Sequence, residues 1–568
     1  MRPAALQSGC RFTVRSLCRH SNADIAKGPR TVSTEKKPRL RSGASRRHIL
    51  GMMAGSGLMG LAPGRIFAQG FPAFSFALAE SVSNDPGLAT FYRETNYAPV
   101  WTGPGHADRR SAFVTALSQA GDHGLPADRY DLEGLLTAYR EVLSERDMAR
   151  LEARTSSLFV QYATDISSGV LEPIRIIPQI VRTLPRPDVA ELMRRFVAAE
   201  PVMFMRSLVP TCPEYSRLLH AIYQLKERIA GGGWGPQITA SSLRPGDTGE
   251  SVVILRNRLI EMGYLPRTAT ASYDQRIQAA VAAFQGFHAL APNGIADEAT
   301  LNEINISADA RLRSLTVALE RERWLNVPRG QRHIWVNLAD FTTQIMDNDL
   351  VTLDTVSIIG SRPDDMQTPE FSHEMTYMEV NPDWTLPRSI VARTYWKSLA
   401  AGGARQLDVV DNAGRVVPRS SINFSRYTPR NFPYSLRQAP GPTNPLGTVK
   451  FMFPNPWAIY LHDSPERNLF DSTLRAYSAG CIRLQRPHDF AYELLSRQTD
   501  DPVELFQSTL RSQRQTRIQL DEHVPVHLEY RTAFTDARGG VHFRKDVYGR
   551  DARLYEALDR AGAVFRIS

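Results

Sequence analysis

From residue 71 to about 235, apolar and polar positions alternate with the spacing of helices that bury one face. Phe91-Tyr92 and Val100-Trp101 open this run. His123-Gly124-Leu125-Pro126, Tyr130-Asp131, Ile176-Ile177-Pro178 and Thr183-Leu184-Pro185 punctuate it with turn signals. Gly231-Gly232-Gly233 then reads as a flexible joint. In residues 240–306, Val252, Leu255, Leu259 and Met262 fall on one helix closed by Gly263, and Ala280, Val281 and Phe284 fall on a second. Past Arg311 the period changes to that of strands, in Ile334-Trp335-Val336-Asn337-Leu338, Thr342-Thr343-Gln344-Ile345, Val351-Thr352-Leu353 and Met375-Thr376-Tyr377-Met378. Residues 391–443 lack sheet periodicity, and Arg419, Arg426, Arg430 and Arg437 are strung among Asn, Pro and Gly. An irregular insertion of that length within a compact domain points to function or disorder, and its place ahead of the next strands predicts a lid. Strand pattern returns at residues 444–455 and in Ala458-Ile459-Tyr460-Leu461, and a helix runs from Pro487 to Leu495. The tail, residues 511–568, holds a strand at 524–530, a Gly-Gly turn and a further run at 543–548, with a packing role expected. The expected fold class is multidomain α+β: a helical region, a small helical module and a mainly-β domain with a lid insertion.

A formal net charge of +9 would suit a nucleic-acid partner if it were spread over the fold. It is not. Residues 1–68 carry 13 Lys and Arg against 2 Asp and Glu, whereas the remaining chain carries 55 against 57. No nucleic-acid partner is expected. The basic segment ends in Ser45-Arg46-Arg47-His48-Ile49-Leu50, followed by a Gly- and Met-rich apolar run and Ala68. That is the pattern of a twin-arginine export signal, with cleavage expected after Ala68 and the periplasm as destination. The apolar run is shorter than the ~20 residues of a spanning helix and is broken by Gly and Pro63, so the mature chain is expected to lack a transmembrane segment. Cys10 and Cys18 leave with the leader. Cys212 and Cys481 remain, either bridged or free, and a bridge would consume a nucleophile.

The candidate chemistry lies in residues 460–484. Cys481 is the one Cys of the second half of the chain, and His462 lies nineteen residues upstream. A thiol becomes a strong nucleophile when an imidazole takes its proton, leaving a thiolate–imidazolium pair. The short strand before His462 would hold its ring rigidly. Ser478-Ala479-Gly480 are small enough for a substrate carbonyl to approach the backbone amides. Arg483 is a fixed cation suited to a substrate carboxylate, and Tyr460 completes the candidate substrate-binding set with Ser478, Ala479 and Gly480. The plainer alternative makes Cys481 a small buried hydrophobe and His462 a loop residue. His462, Asp463 and Cys481 lack the paired short spacings of zinc sites, so neither metal nor cofactor is expected. His123 reads as structural, and His488 as a capping or surface residue.

Ser478-Ala479-Gly480-Cys481-Ile482-Arg483-Leu484, preceded by His462, resembles the signature of L,D-transpeptidases with a YkuD-type catalytic domain. In that family a His is followed, after some fifteen to twenty residues, by Ser-His-Gly-Cys, an apolar residue and Arg. Ala479 stands where most members have His, as in the large periplasmic subgroup, and Asp463 stands where many have Gly or Ser. His462 alone would then carry the base role, with either the Asp463 carboxylate or a backbone carbonyl orienting its ring. The strand runs at 334–390 and 444–455 share the likeness. Residues 71–235 resemble the family's scaffold domain, and residues 240–306 resemble a three-helix peptidoglycan-binding module, with Asn293 where Asp is commoner. The resemblance implies a catalytic domain at 311–510 with its lid at about 391–443, and a C-terminal extension at 511–568. It also implies a reaction: Cys481 expels D-alanine from a peptidoglycan tetrapeptide stem, and an amine of a second stem resolves the thioester as a 3→3 crosslink. Two alternatives stand beside it. The acceptor is the amine of an outer-membrane protein, or the chain is a non-catalytic wall-binding protein.

Overall fold

The computed structural model describes residues 72–566, and the export signal expected at 1–68 lies outside them. Among the described residues, no helix is long and apolar enough to cross a membrane.

The helical region is built on the helix Glu145–Ser168, capped by the Ser144 hydroxyl, which accepts from the Asp147 amide at 3.1 Å. Its buried face carries Phe159, Tyr162 and Ile166, and Trp101 stacks on Phe196 at 5.0 Å between ring centroids. Glu152 is also on that face and fully buried. It accepts hydrogen bonds from the amides of Val100, Trp101 and Thr102 and from the Tyr92 hydroxyl at 2.7 Å. A buried carboxylate survives only with such a set of donors. His123 is structural, with Nδ1 3.1 Å from the Tyr215 hydroxyl.

The three glycines of the joint finish the last turn of the helix Pro213–Ala230, and Gly232 and Gly233 take positive φ. The next module has three helices, Glu250–Glu261, Gln275–Phe287 and Glu298–Ile304, around Val252, Leu255, Leu259, Val281 and Phe284. Buried Arg258 ties the joint to this module by donating to the carbonyls of Gly235, Pro236 and Ile304.

The strand pattern expected past Arg311 begins only at residue 332, because Ala308–Trp324 is a helix. Its C-terminal turn, Glu320-Arg321-Glu322-Arg323, is charged at every position and yet buried. Ion pairs compensate. Arg321 meets Glu370 at 2.7 Å, Arg323 meets Glu320 at 2.8 Å, and Glu322 meets Arg531.

Beyond this helix come β1 (Arg332–Asn337), β2 (Thr342–Asp347), β3 (Leu350–Gly360) and β4 (Phe371–Val380). Then follow β5 (Trp384–Thr385), β6 (Asp408–Val410), β7 (Ser435–Gln438), β8 (Val449–Met452), β9 (Leu461–His462), β10 (Ala476–Ser478), β11 (Ile482–Leu484) and β12 (Thr516–Glu529). The main sheet has the order β10-β3-β11-β9-β8-β4-β12-β1-β2, and β2 also pairs with β3, so eight strands close on themselves and β10 branches from β3. Alternate side chains fill the interior, among them Ile334, Val336, Met378, Phe451, Leu461, Ile482 and Leu528. The helix Pro487–Leu495 covers this core with Phe490 and Leu494.

Two expectations change here. The tail does more than pack: β12 runs antiparallel to β4 and parallel to β1, inside the main sheet. The 391–443 insertion is not irregular throughout. With flanking residues it forms a three-stranded sheet, β5-β7-β6, over its own core of Trp384, Leu399, Leu407, Val409, Phe432 and Leu436. Strands of two to four residues are too short to display alternation in sequence.

Candidate active site

Strands β9 and β11 lie side by side and parallel, with Leu461 opposite Ile482 and His462 opposite Arg483. His462 therefore ends β9, while Cys481 sits one residue before β11, beside Tyr460, at a strand spacing of about 4.8 Å. The Tyr460 and His462 rings are 5.6 Å apart, and Tyr460 also packs on the insertion's core. The strand expected from Ala458 is shorter than its pattern. Asn455 accepts from the amides of Trp457 and Ile459 and holds Ala458 at a φ of 53°. The Cys481 thiol, partly exposed, points to the Ala458 carbonyl at 3.6 Å.

His462 Nδ1 lies 2.5 Å from the Asp463 carbonyl. A carbonyl only accepts, so Nδ1 carries the hydrogen and Nε2 is left bare as a base. Of the two orienting groups considered, the backbone carbonyl holds the ring. The Asp463 carboxylate instead fixes the turn that presents that carbonyl. It accepts from the Thr448 amide and hydroxyl, both at 2.8 Å, from the Ser464 amide at 2.7 Å and from Arg467 at 2.9 Å. His488, expected as a cap or surface group, is half-buried and bonds the Thr448 hydroxyl at 2.7 Å. Gly447 sits at positive φ, and a β-carbon there would lie 2.3 Å from the Asp463 carboxylate.

The Cys481 loop is equally constrained. Ser478 Oγ accepts from the Gly480 amide at 3.1 Å and donates to the Cys481 carbonyl at 2.5 Å. The Gly480 amide is thus occupied, and among the expected oxyanion donors the Cys481 amide becomes the principal candidate. Ala479 is exposed at the loop's tip. Arg483 pairs with Glu466 and reaches Ser464 Oγ at 3.5 Å, so its guanidinium is engaged rather than free. Arg419 of the insertion is likewise committed to the Gly403 and Leu407 carbonyls, whereas Arg426 and Arg430 are exposed.

The surroundings of the two groups work against the thiolate–imidazolium pair expected. Burial pushes the Cys481 thiol up to about 11, against hydrogen bonds from Tyr460 and the Arg483 charge, which lower it. Burial pulls the His462 imidazole down to about 3, helped by the Arg483 and Lys450 charges and opposed by the Asp463 carbonyl. Burial thus favours the neutral form of each group in the free chain. Cys212 and Cys481 are both free, and Cys212 faces Glu322 at 3.7 Å in a separate core. Among the described residues, no cluster of three His, Cys, Asp or Glu suits a metal. Thr448 and Asn455 were not singled out by the sequence, although the Asn455-Pro456 dipeptide is a turn signal. Trp457 and Tyr477 are large exposed side chains that no motif in the sequence marks.

Residues 331–509 match the model of the L,D-transpeptidase catalytic domain (YkuD), residues 86–222 match a scaffold domain, and residues 248–304 match a domain described as "Putative peptidoglycan binding domain". Over 243 residues the chain is 30% identical to a "Putative L,D-transpeptidase" of Haemophilus influenzae, covering 42% of this chain and 48% of that protein. The chain thus spans about half the length of this curated relative. The crystal structure of the L,D-transpeptidase (residues 123–326) from Xylanimonas cellulosilytica is 15% identical and covers 52% of this chain and 98% of its own, with a TM-score of 0.17. At that score the likeness carries no argument.

Proposed function

We propose, for a chain whose residues 331–509 are a YkuD-type L,D-transpeptidase catalytic domain, that it crosslinks peptidoglycan through a cysteine acyl-enzyme. Cys481 Sγ attacks the carbonyl carbon at the L-centre of diaminopimelate in a tetrapeptide stem, and its proton passes to His462 Nε2. The Cys481 amide receives the oxyanion. His462 returns the proton to the departing D-alanine amine, leaving a thioester. An amine of a second stem then attacks it, and its proton passes by way of His462 to the departing Cys481 sulfur, which restores the thiol and the neutral imidazole with a 3→3 crosslink formed. The observation that carries this reading is the bare His462 Nε2, created by the Nδ1–H bond to Asp463, on the strand beside the Cys481 loop.

Neutral resting partners fit a nucleophile that is activated on substrate binding, when closure excludes water and the proton has a destination. The insertion, which touches Tyr460, serves as the lid, and exposed Arg426 and Arg430 meet stem carboxylates. Arg483 exchanges Glu466 for a substrate carboxylate, with Ser478, Ala479, Gly480 and Tyr460 lining the approach. The module at 240–306 holds the enzyme on the wall, and the chain works in the periplasm after twin-arginine export.

The test is muropeptide analysis of a Cys481→Ala strain. Loss of 3→3 dimers supports the reading. Unchanged dimers with release of an outer-membrane protein would transfer the same chemistry to protein anchoring. If the purified chain forms no thioester adduct with a carbapenem by intact-mass spectrometry, the catalytic reading fails and a wall-binding role replaces it.

A further inference from the structure

Gly480 is held from outside its own loop. The Thr368 hydroxyl donates to the Gly480 carbonyl at 2.7 Å and accepts from the Gly360 amide at 2.9 Å, and the Thr368 side chain is fully buried. The Tyr548 hydroxyl donates to the Gly360 carbonyl at 2.6 Å and accepts from the Thr368 amide at 3.3 Å. Gly360 is therefore gripped on both sides, and a β-carbon on it would lie 2.1 Å from the Met366 carbonyl. Tyr548 is itself locked. Its ring stacks on Tyr530 at 5.5 Å, and the Arg550 guanidinium lies over both rings. Arg550, 1% exposed, is tied down by Glu370 at 2.8 Å and by the Thr368 carbonyl at 2.9 Å.

This relay bears on chemistry because a peptide unit is planar and trans. Fixing the Gly480 carbonyl on one side aims the Cys481 N–H to the other. Gly480 has a φ of 123°, and as a glycine it is free to leave that conformation unless it is held from outside; rotation of the 480–481 unit would turn the Cys481 amide away from the substrate. We propose that the C-terminal tail presets the Cys481 amide for the oxyanion, with Thr368 and Tyr548 as positioning residues that act through the Gly480 carbonyl. The inference rests on Cys481 being the acylated residue, as proposed above.

The experiment measures acylation of the full chain by a carbapenem, resolved into a saturation constant and a maximal rate by intact-mass spectrometry. Thr368→Val removes the hydroxyl and keeps the shape. It is expected to lower the maximal rate about 10- to 100-fold, the scale of losing or misaiming one oxyanion donor, with the saturation constant within about twofold. Thr368→Ser restores the hydroxyl and is expected within about threefold of the natural rate. Tyr548→Phe, one bond further away, is expected to lose about five- to tenfold in the same parameter, and it carries the test alone if Thr368→Val does not fold. Natural rates in Thr368→Val or Tyr548→Phe, or a Thr368→Ser rate as low as that of Thr368→Val, overturn the positioning role. A Cys481→Ala chain that still forms the adduct overturns the underlying assignment of the nucleophile instead, so the two failures are told apart.

Discussion

Two side chains, one thiol and one imidazole, set the pH behaviour of the site. With the thiol near 11, iodoacetamide should alkylate free-enzyme Cys481 slowly at pH 7.5 and faster as pH rises from 9 towards 11. A rate already level below pH 7 would show a standing thiolate–imidazolium pair and defeat the neutral assignment. For His462 the folded value, about 3, lies below the ordinary 6.5, so between these pH values the unfolded chain binds more protons. Stability should therefore rise with pH across that window and be lost as pH falls towards 3. In His462→Gln the urea midpoint should vary less over the same range. Cys481 and His462 stand out in the sequence because Cys481 is flanked by small residues and Arg483, but the burial that shifts both groups does not. His462 is buried on β9 between β8 and β11, strands that no local motif brings beside it. Asp463 shows the same limit: its carboxylate was a candidate to hold the ring, and its carbonyl holds it instead.

Among elements, the helix Ala308–Trp324 is the instructive one. The buried charges of Glu320-Arg321-Glu322-Arg323 find partners far away in the chain, at Glu370 and Arg531. Glu320 also accepts from the Leu171 amide at 2.9 Å and from the Trp324 indole at 3.1 Å, joining the helix to the helical region. Glu320→Ala would strand buried Arg323 and should cost about 3–5 kcal/mol in chemical denaturation. An equal midpoint for the variant would mean that water reaches this turn. By contrast, the three helices between 250 and 304 were readable because their cores close locally, through residues within about 60 positions of one another. A fragment from Gly235 to Ile306, which keeps the Arg258 contacts, should show helical circular dichroism and a cooperative melt; a flat melt would contradict a self-contained core.

At the scale of the whole molecule, β12 decides which truncations survive. A chain ending at residue 510 loses the strand between β4 and β1, and both neighbours are left with unpaired edges. It should elute as aggregate in size-exclusion chromatography, and a soluble monomer with native circular dichroism would refute the barrel closure described here. The strand beyond residue 511 was legible in the sequence but its place in the sheet was not, because pattern alone shows that a segment is a strand, not which neighbours accept it.

The same strand has a bearing on biogenesis. Leu528 pairs with Val336, a partner made almost two hundred residues earlier. A nascent chain leaving the ribosome thus carries an open ribbon with two sticky rims until β12 is translated, and the Tyr548 clamp on Gly360 arrives later still. The interval of greatest danger for self-association, and of greatest need for a holding chaperone, falls between synthesis of β1 and emergence of β12.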